Sequence, residues 1–154
     1  MIEQVREYFK LYEMEERIIE LETSSATVEL AAQAIGCEPE RIAKTLSFQV
    51  EEKPILIVTA GDTKIDNAKY KAKFHAKAKM LSPDEVLEKI GHAVGGVCPF
   101  GIKDGVLVYL DESLKRFETV FPAAGSHNSM IELNLQELEQ YSNYKEWIDV
   151  CKGW

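Results

Sequence analysis

Cysteine, histidine, basic charge and long apolar runs are all scarce in this chain, and each scarcity removes a class of protein. The three cysteines, Cys37, Cys98 and Cys151, are odd in number and widely spaced. That argues against a disulfide framework and for a reducing, cytoplasmic compartment. There is no CxxC pair and no Cys/His cluster, so no metal site is expected. No apolar run approaches the roughly 18 residues of a membrane span. The first residues, MIEQVREYFKLYEMEERI, are charged and amphipathic, without the apolar stretch of a signal peptide, so no membrane association is expected. Lys and Arg number 18 against 26 Asp and Glu, a net charge of −8. A surface of that sign does not coat nucleic acid broadly, and no DNA partner is expected. Repeats, linkers and low-complexity segments are missing too. What remains is 154 residues, 45% of them hydrophobic, which is enough for one domain over 1–154 with its own core and no staple.

The most distinctive segment is GGVCPFG, residues 95–101. Glycine admits φ > 0 and close approach to the backbone, and proline stiffens the loop. The run neither crosses a helix nor completes a central strand. It reads as a shaped loop with N–H groups directed at a ligand. A second glycine-bearing loop, AAGSHNS, occupies 123–129.

Apolar spacing predicts a helix over 2–13 and a short strand over Arg17–Leu21. Ser24 or Ser25 caps a helix ending at Ile35, with Gly36 at the position after it. Pro39 starts a helical turn. Ile42–Val50 is a strand, Glu51–Lys53 a turn, and Pro54–Ala60 the hairpin partner. A helix over Asp66–His75 precedes the start signal Ser82-Pro83-Asp84-Glu85, whose helix runs to Ile90 and stops at Gly91. Strands come next over Gly105–Asp111, Glu118–Phe121 and Met130–Leu133. Asn134 caps another helix, with Glu137 three residues on, and Tyr144–Cys151 is expected to be a terminal helix packed through Trp147 and Ile148. Strands and helices mix without strict βαβ alternation, so the class is α+β, or complex α/β, with a mixed sheet.

Lys44 stands out within the strand. It shares a face with Ile42, Leu46, Phe48 and Val50, where an ammonium either snorkels to water or is aimed into a pocket. Thr45 and Ser47, on the opposite face, read as ordinary strand hydroxyls. Residues 64–79 carry six lysines and one aspartate, so +5 sits in a chain otherwise at −13. Lys69, Lys71, Lys73 and Lys77, interleaved with Tyr70, Phe74 and His75, form a lysine-aromatic patch suited to a phosphate backbone or an RNA end; a solvated helix face has the same pattern. Cys98 with His127 is a further pairing to weigh, as nucleophile and base. His75 and His92 read as surface residues. Met80, Met130 and the tryptophans read as packing.

The combination of IAKTLSF at 42–48, GGVCPFG at 95–101 and AAGSHNSMIEL at 123–133 resembles the YbaK and prolyl-tRNA-synthetase editing-domain family. The resemblance spans nearly the whole chain and implies a freestanding aminoacyl-tRNA deacylase. Its fold is a mixed, barrel-like β-sheet surrounded by helices. Its substrate is a small amino acid wrongly esterified to tRNA, typically tRNA for proline, and its partners are the acceptor end of that tRNA and a synthetase. The family's strand lysine maps to Lys44, and its G-x-x-x-P loop maps to Gly95 through Pro99. Lys44, Gly95 and Gly96 are thereby implied as catalytic, with Lys44 on the terminal phosphate or the carbonyl and loop N–H groups on the developing oxyanion. Val97, Cys98, Pro99, Gly125, Ser126, His127 and Asn128 are implied around the substrate. The AAGSHNS segment differs from members that carry a basic Arg/Lys-Gly turn. No cofactor or metal is implied, and the substrate's own ribose hydroxyl is implied to orient water. The alternative of another class is a noncatalytic module that binds aminoacyl-tRNA or a nucleotide.

Overall fold

A computed structural model describes residues 1–154. The helices are α1 (Ile2–Lys10), α2 (Val28–Ile35), α3 (Asn67–Phe74), α4 (Pro83–Lys89) and α5 (Leu135–Ser142). The strands are β1 (Ile18–Glu20), β2 (Ile42–Val50), β3 (Lys53–Ala60), β4 (Lys64–Ile65), β5 (Leu107–Asp111), β6 (Thr119–Pro122), β7 (Ser129–Ile131), β8 (Leu133–Asn134), β9 (Glu146–Ile148) and β10 (Cys151–Lys152). Six of these form a curled half-barrel in the order β8-β6-β2-β3-β5-β9. It is mixed: β2 pairs antiparallel with β3 and parallel with β6, while β3–β5 and β5–β9 are parallel. The small ladders β1–β7 and β4–β10 close its margins.

The β2–β3 hairpin organises the sheet. Glu51 and Glu52 both have positive φ, 50° and 66°, as a two-residue turn of the kind that matches strand twist requires. Val50 pairs with Lys53 directly across that turn, and the register continues through Ala43 opposite Ala60. The run Ile55–Ala60 is buried throughout, because both faces of the sheet are covered. Leu56 and Val58 pack into a cluster with Val5, Phe9, Val86 and Leu138, whereas Ile55 and Ile57 join Phe48, Tyr70 and Ile148 on the other face.

Local signals place most of the helices. Ser82 and Glu85 form a reciprocal cap, as do Asn134 and Glu137. Gly36 ends α2 at φ 77°. That helix is capped by Thr27, whose Oγ1 accepts from the Leu30 N–H, and not by Ser24 or Ser25; their hydroxyls donate to the His127 carbonyl. The expected helix over 2–13 ends at Lys10, and the expected strand over Met130–Leu133 divides into β7 and β8. The expected terminal helix over Tyr144–Cys151 is replaced by β9 and β10. Trp147 packs toward one core and Ile148 belongs to the other. Successive residues point to opposite faces only in a strand, so the sheet overrides a short helical pattern.

Candidate active site

A cavity of about 430 Å³ opens beside β2. Its walls are mainly apolar, supplied by α2 (Val28, Ala31), the segment into α4 (Met80, Leu81, Val86), the loop at Val94, Gly95 and Val97, and the β6–β7 corner (Phe121, Ala123, Met130). Thr45, Ser47 and Ser129 interrupt that lining. Met80 is 58% exposed at its rim, so it does not serve as core packing.

Lys44 reaches the cavity from the strand that forms its floor. Its ammonium donates to the Thr63 carbonyl and forms no ion pair. Burial lowers its pKa from the ordinary lysine value, against the partial compensation of Cys151, Asp62 and Glu29. Asp62 is itself taken by Arg116, at 2.6 and 2.9 Å, which leaves Lys44 available to an incoming anion or polarised carbonyl.

The two glycine loops meet. A Cβ on Gly96 would lie 2.6 Å from the Ser126 nitrogen and 2.7 Å from the Gly125 carbonyl carbon. Glycine is required there for the loops to touch. The Gly96 N–H donates to the Ala93 carbonyl at 3.1 Å, so it is not free for a ligand; Gly95 and Val97 donate to no main-chain acceptor. Gly95 and Val97 line the cavity. In the second loop, Ser126 Oγ lies 2.6 Å from Ser129 Oγ, which ties the loop to the cavity wall. Asn128 Nδ2 donates to the Leu21 carbonyl, and the His127 carbonyl accepts from the Ser25 N–H at 2.6 Å. Asn128 and the His127 main chain thus hold the loop against the segment before α2. Gly125, at φ 95°, packs against Met1 and Val5. Gly125, Ser126, His127 and Asn128 stand behind the cavity wall and do not line it.

Cys98 and Pro99 also lie off the cavity. Cys98 is fully buried in the main core, and Pro99 borders a separate cleft with Tyr8 and Tyr141. Cys98 meets His92, not His127: Sγ is 3.5 Å from Nε2 of His92. His92, expected at the surface, is fully buried, with Nε2 2.7 Å from the Phe100 carbonyl. Burial pushes the Cys98 thiol up to about 12 and the imidazole down to about 4. Both are neutral, and the pair is a core contact without an activated thiolate. His75 is exposed, in line with its sequence context.

The lysine patch divides. Lys69 pairs with Asp149 at 3.0 Å and Lys73 with Glu146, whereas Lys71 and Lys77 are exposed without ion pairs. No three His, Cys, Asp or Glu side chains converge to hold a metal ion. No helix is long and apolar enough to cross a membrane.

Thr45 and Ser47, expected to be ordinary strand hydroxyls, and Ser129 of the second glycine loop lie along the cavity with its apolar walls. The alternation in β2 made Lys44 conspicuous, but an ordinary threonine beside it carries no signal of its own.

Comparison with known proteins gives the chain a family and its fold a counterpart. The family model for the aminoacyl-tRNA editing domain matches residues 22–141. The uncharacterized protein YwhH of Bacillus subtilis (strain 168) is 58% identical over 154 residues, 99% of this chain and 98% of that one. Proline–tRNA ligase of Thermosipho melanesiensis is 29% identical over 125 residues, which are 80% of this chain and 22% of the ligase. A solved structure described as a candidate trans-editing enzyme for prolyl tRNA synthetase superposes with a TM-score of 0.88 at 28% identity, covering 99% of this chain and 97% of that one. This chain belongs to the aminoacyl-tRNA editing domain family.

Proposed function

We propose that this chain is a trans-editing hydrolase that deacylates mischarged aminoacyl-tRNA, removing a small amino acid from tRNA for proline. The observation that carries the reading is an unpaired, half-buried ammonium, Lys44, beside an apolar-walled cavity of about 430 Å³. Water attacks the ester carbonyl, the bond to the terminal ribose oxygen breaks, and that oxygen takes a proton as free amino acid leaves. Such an ester is intrinsically labile, so positioning and charge stabilisation suffice. Lys44 holds the terminal phosphate or the carbonyl side, the free N–H groups of Gly95 and Val97 meet the developing oxyanion, and the substrate's ribose hydroxyl orients water. Gly96 acts by lacking a side chain. The cavity rejects large side chains by size. A protein nucleophile is unnecessary, in keeping with the neutral, buried Cys98.

Single-domain organisation over 1–154, action in the cytoplasm and cooperation with a synthetase belong to the same proposal. Likeness to proline–tRNA ligases and to the trans-editing candidate supports it. Incubating the protein with tRNA for proline carrying Ala, Cys, Ser or Thr tests it. Catalytic release of at least one free amino acid is expected. Stoichiometric binding that protects the ester would replace the hydrolase with a noncatalytic binding module.

A further inference from the structure

The cavity is lined by six consecutive residues of β2, Ile42 to Ser47. A strand that presents a face contributes alternate residues, because its side chains alternate. Six in a row mean that the cavity looks onto the strand's edge as well.

That edge has a gap. Val50 and Lys53 flank the two-residue turn as a pair exchanging both main-chain hydrogen bonds, so even-numbered residues of β2 bond to β3 and odd-numbered residues direct N–H and C=O outward. Two outward bonds agree with this: the Gln49 N–H donates to the Lys79 carbonyl at 2.9 Å, and the Leu81 N–H to the Ser47 carbonyl at 3.2 Å. At the other end, the parallel ladder with β6 stops at Ala43 opposite Pro122. Thr45 is the one outward-directed residue between the two pairings. Its N–H and C=O have no strand neighbour on that side, and its Oγ1 is also buried without a partner. An open strand edge facing a cavity is a template for main-chain pairing, and a buried hydroxyl without a partner is rare, so this residue is built to receive something.

Resting on the editing reading above, we infer that the substrate's aminoacyl group fills this gap as a one-residue strand. An aminoacyl ester presents an ammonium, a Cα and a carbonyl in the same order as a residue in a chain. Opposite Thr45, its ammonium donates to the Thr45 carbonyl and its ester carbonyl accepts from the Thr45 N–H, the exchange of a hydrogen-bonded antiparallel pair. Residues directly opposite one another share a face. The side chain of an L-amino acid therefore falls on the Thr45 side of the sheet, where Leu81 and Val86 bound the cavity. Thr45 thus reads the free α-ammonium and the configuration, while the walls read size.

The test uses two stable amide mimics of the charged tRNA end: 3′-deoxy-3′-(L-alanylamino)adenosine and its propionyl counterpart, which lacks only the ammonium. With ¹⁵N-labelled protein, the alanyl probe is expected to slow hydrogen exchange of the Thr45 amide at least tenfold. The propionyl probe is expected to bind at least tenfold more weakly, the usual worth of a hydrogen bond to a charged group. Equal affinity for the two probes, no binding of either at millimolar concentration, or unchanged Thr45 exchange with the alanyl probe bound would each overturn the inference. Hydrolysis of mischarged tRNA with an unresponsive Thr45 removes this inference alone. A protected Thr45 without any hydrolysis removes the hydrolase reading and leaves the docking site standing.

Discussion

The cavity beside β2 and the lysine face of α3 both concentrate positive charge, yet they treat it in opposite ways. Lys44 is half-buried, lacks an acidic partner and bonds only to a main-chain carbonyl, and burial lowers its pKa. The lysines of α3 are exposed, and two of them are already paired with Asp149 and Glu146. Exposed ion pairs of that kind are worth about 0–1 kcal/mol and are screened by salt. A desolvated cation acts at short range with little competition from water. On the proposed function, one lysine inside the cavity therefore outweighs several outside it in the chemical step, and any part the outer lysines play is in capture of the tRNA.

The sharpest way to break this comparison is Lys44→Ala. Deacylation of the substrate found with the mischarged panel is expected to fall by roughly 10²-fold or more, about 3 kcal/mol, with the thermal transition little changed. Near-wild-type turnover would put Lys44 on the same footing as the α3 lysines.

Acid should weaken the buried side next. His92 titrates at about 4 in the folded protein because burial disfavours its charge, against about 6.5 unfolded. Between those values the unfolded chain holds a proton that the native imidazole does not. Stability is thus fully present above pH 6.5 and falls as pH drops toward 4, by as much as about 3 kcal/mol. Urea unfolding at pH 7 and pH 4.5 measures it, and His92→Gln should flatten the dependence. An equally steep wild-type and His92→Gln profile would assign the loss to other groups.

Gly96→Ala probes the contact between the two loops. The new Cβ meets main-chain atoms of Gly125 and Ser126 at 2.6–2.7 Å, and backbone cannot yield as a flexible side chain does. A loss of about 1–3 kcal/mol is expected, with reduced turnover as the wall at Gly95 and Val97 shifts. Unchanged stability and activity would show that the loops part freely.

The smallest effect belongs to the α3 side. Lys71→Glu with Lys77→Glu changes the two patch lysines without ion pairs. The double variant should raise KM and flatten the slope of log affinity against log salt by roughly 0.7–0.9 for each phosphate left unneutralised, with the single-turnover rate at saturation nearly unchanged. A slope equal to wild type would make the patch a solvated surface and move tRNA docking elsewhere.

Much of the molecule was legible because it depends on near neighbours. The caps at Ser82 and Asn134, the left-handed Gly36 and the β2–β3 hairpin arise from residues within a turn of one another. Lys44 was legible as a cation inside an apolar alternation. The terminal segment was not: Tyr144–Cys151 holds too few residues for helical and strand patterns to differ, and its pairing with β5 and β4 decided the outcome. Cys98 was legible as a thiol, but its surroundings were not, since burial delivered His92 in place of His127 and left the thiol neutral.

By itself, then, the sequence determined the local conformations, the mixed class and the residues able to carry chemistry, because propensity, capping and alternation act over a few residues. Only the tertiary structure decided that Gly96 presses on the Gly125–Ser126 peptide and that Thr45 faces a gap in its sheet. A strand edge is open or closed according to which distant segments pair beside it, and no pattern within the strand records that choice.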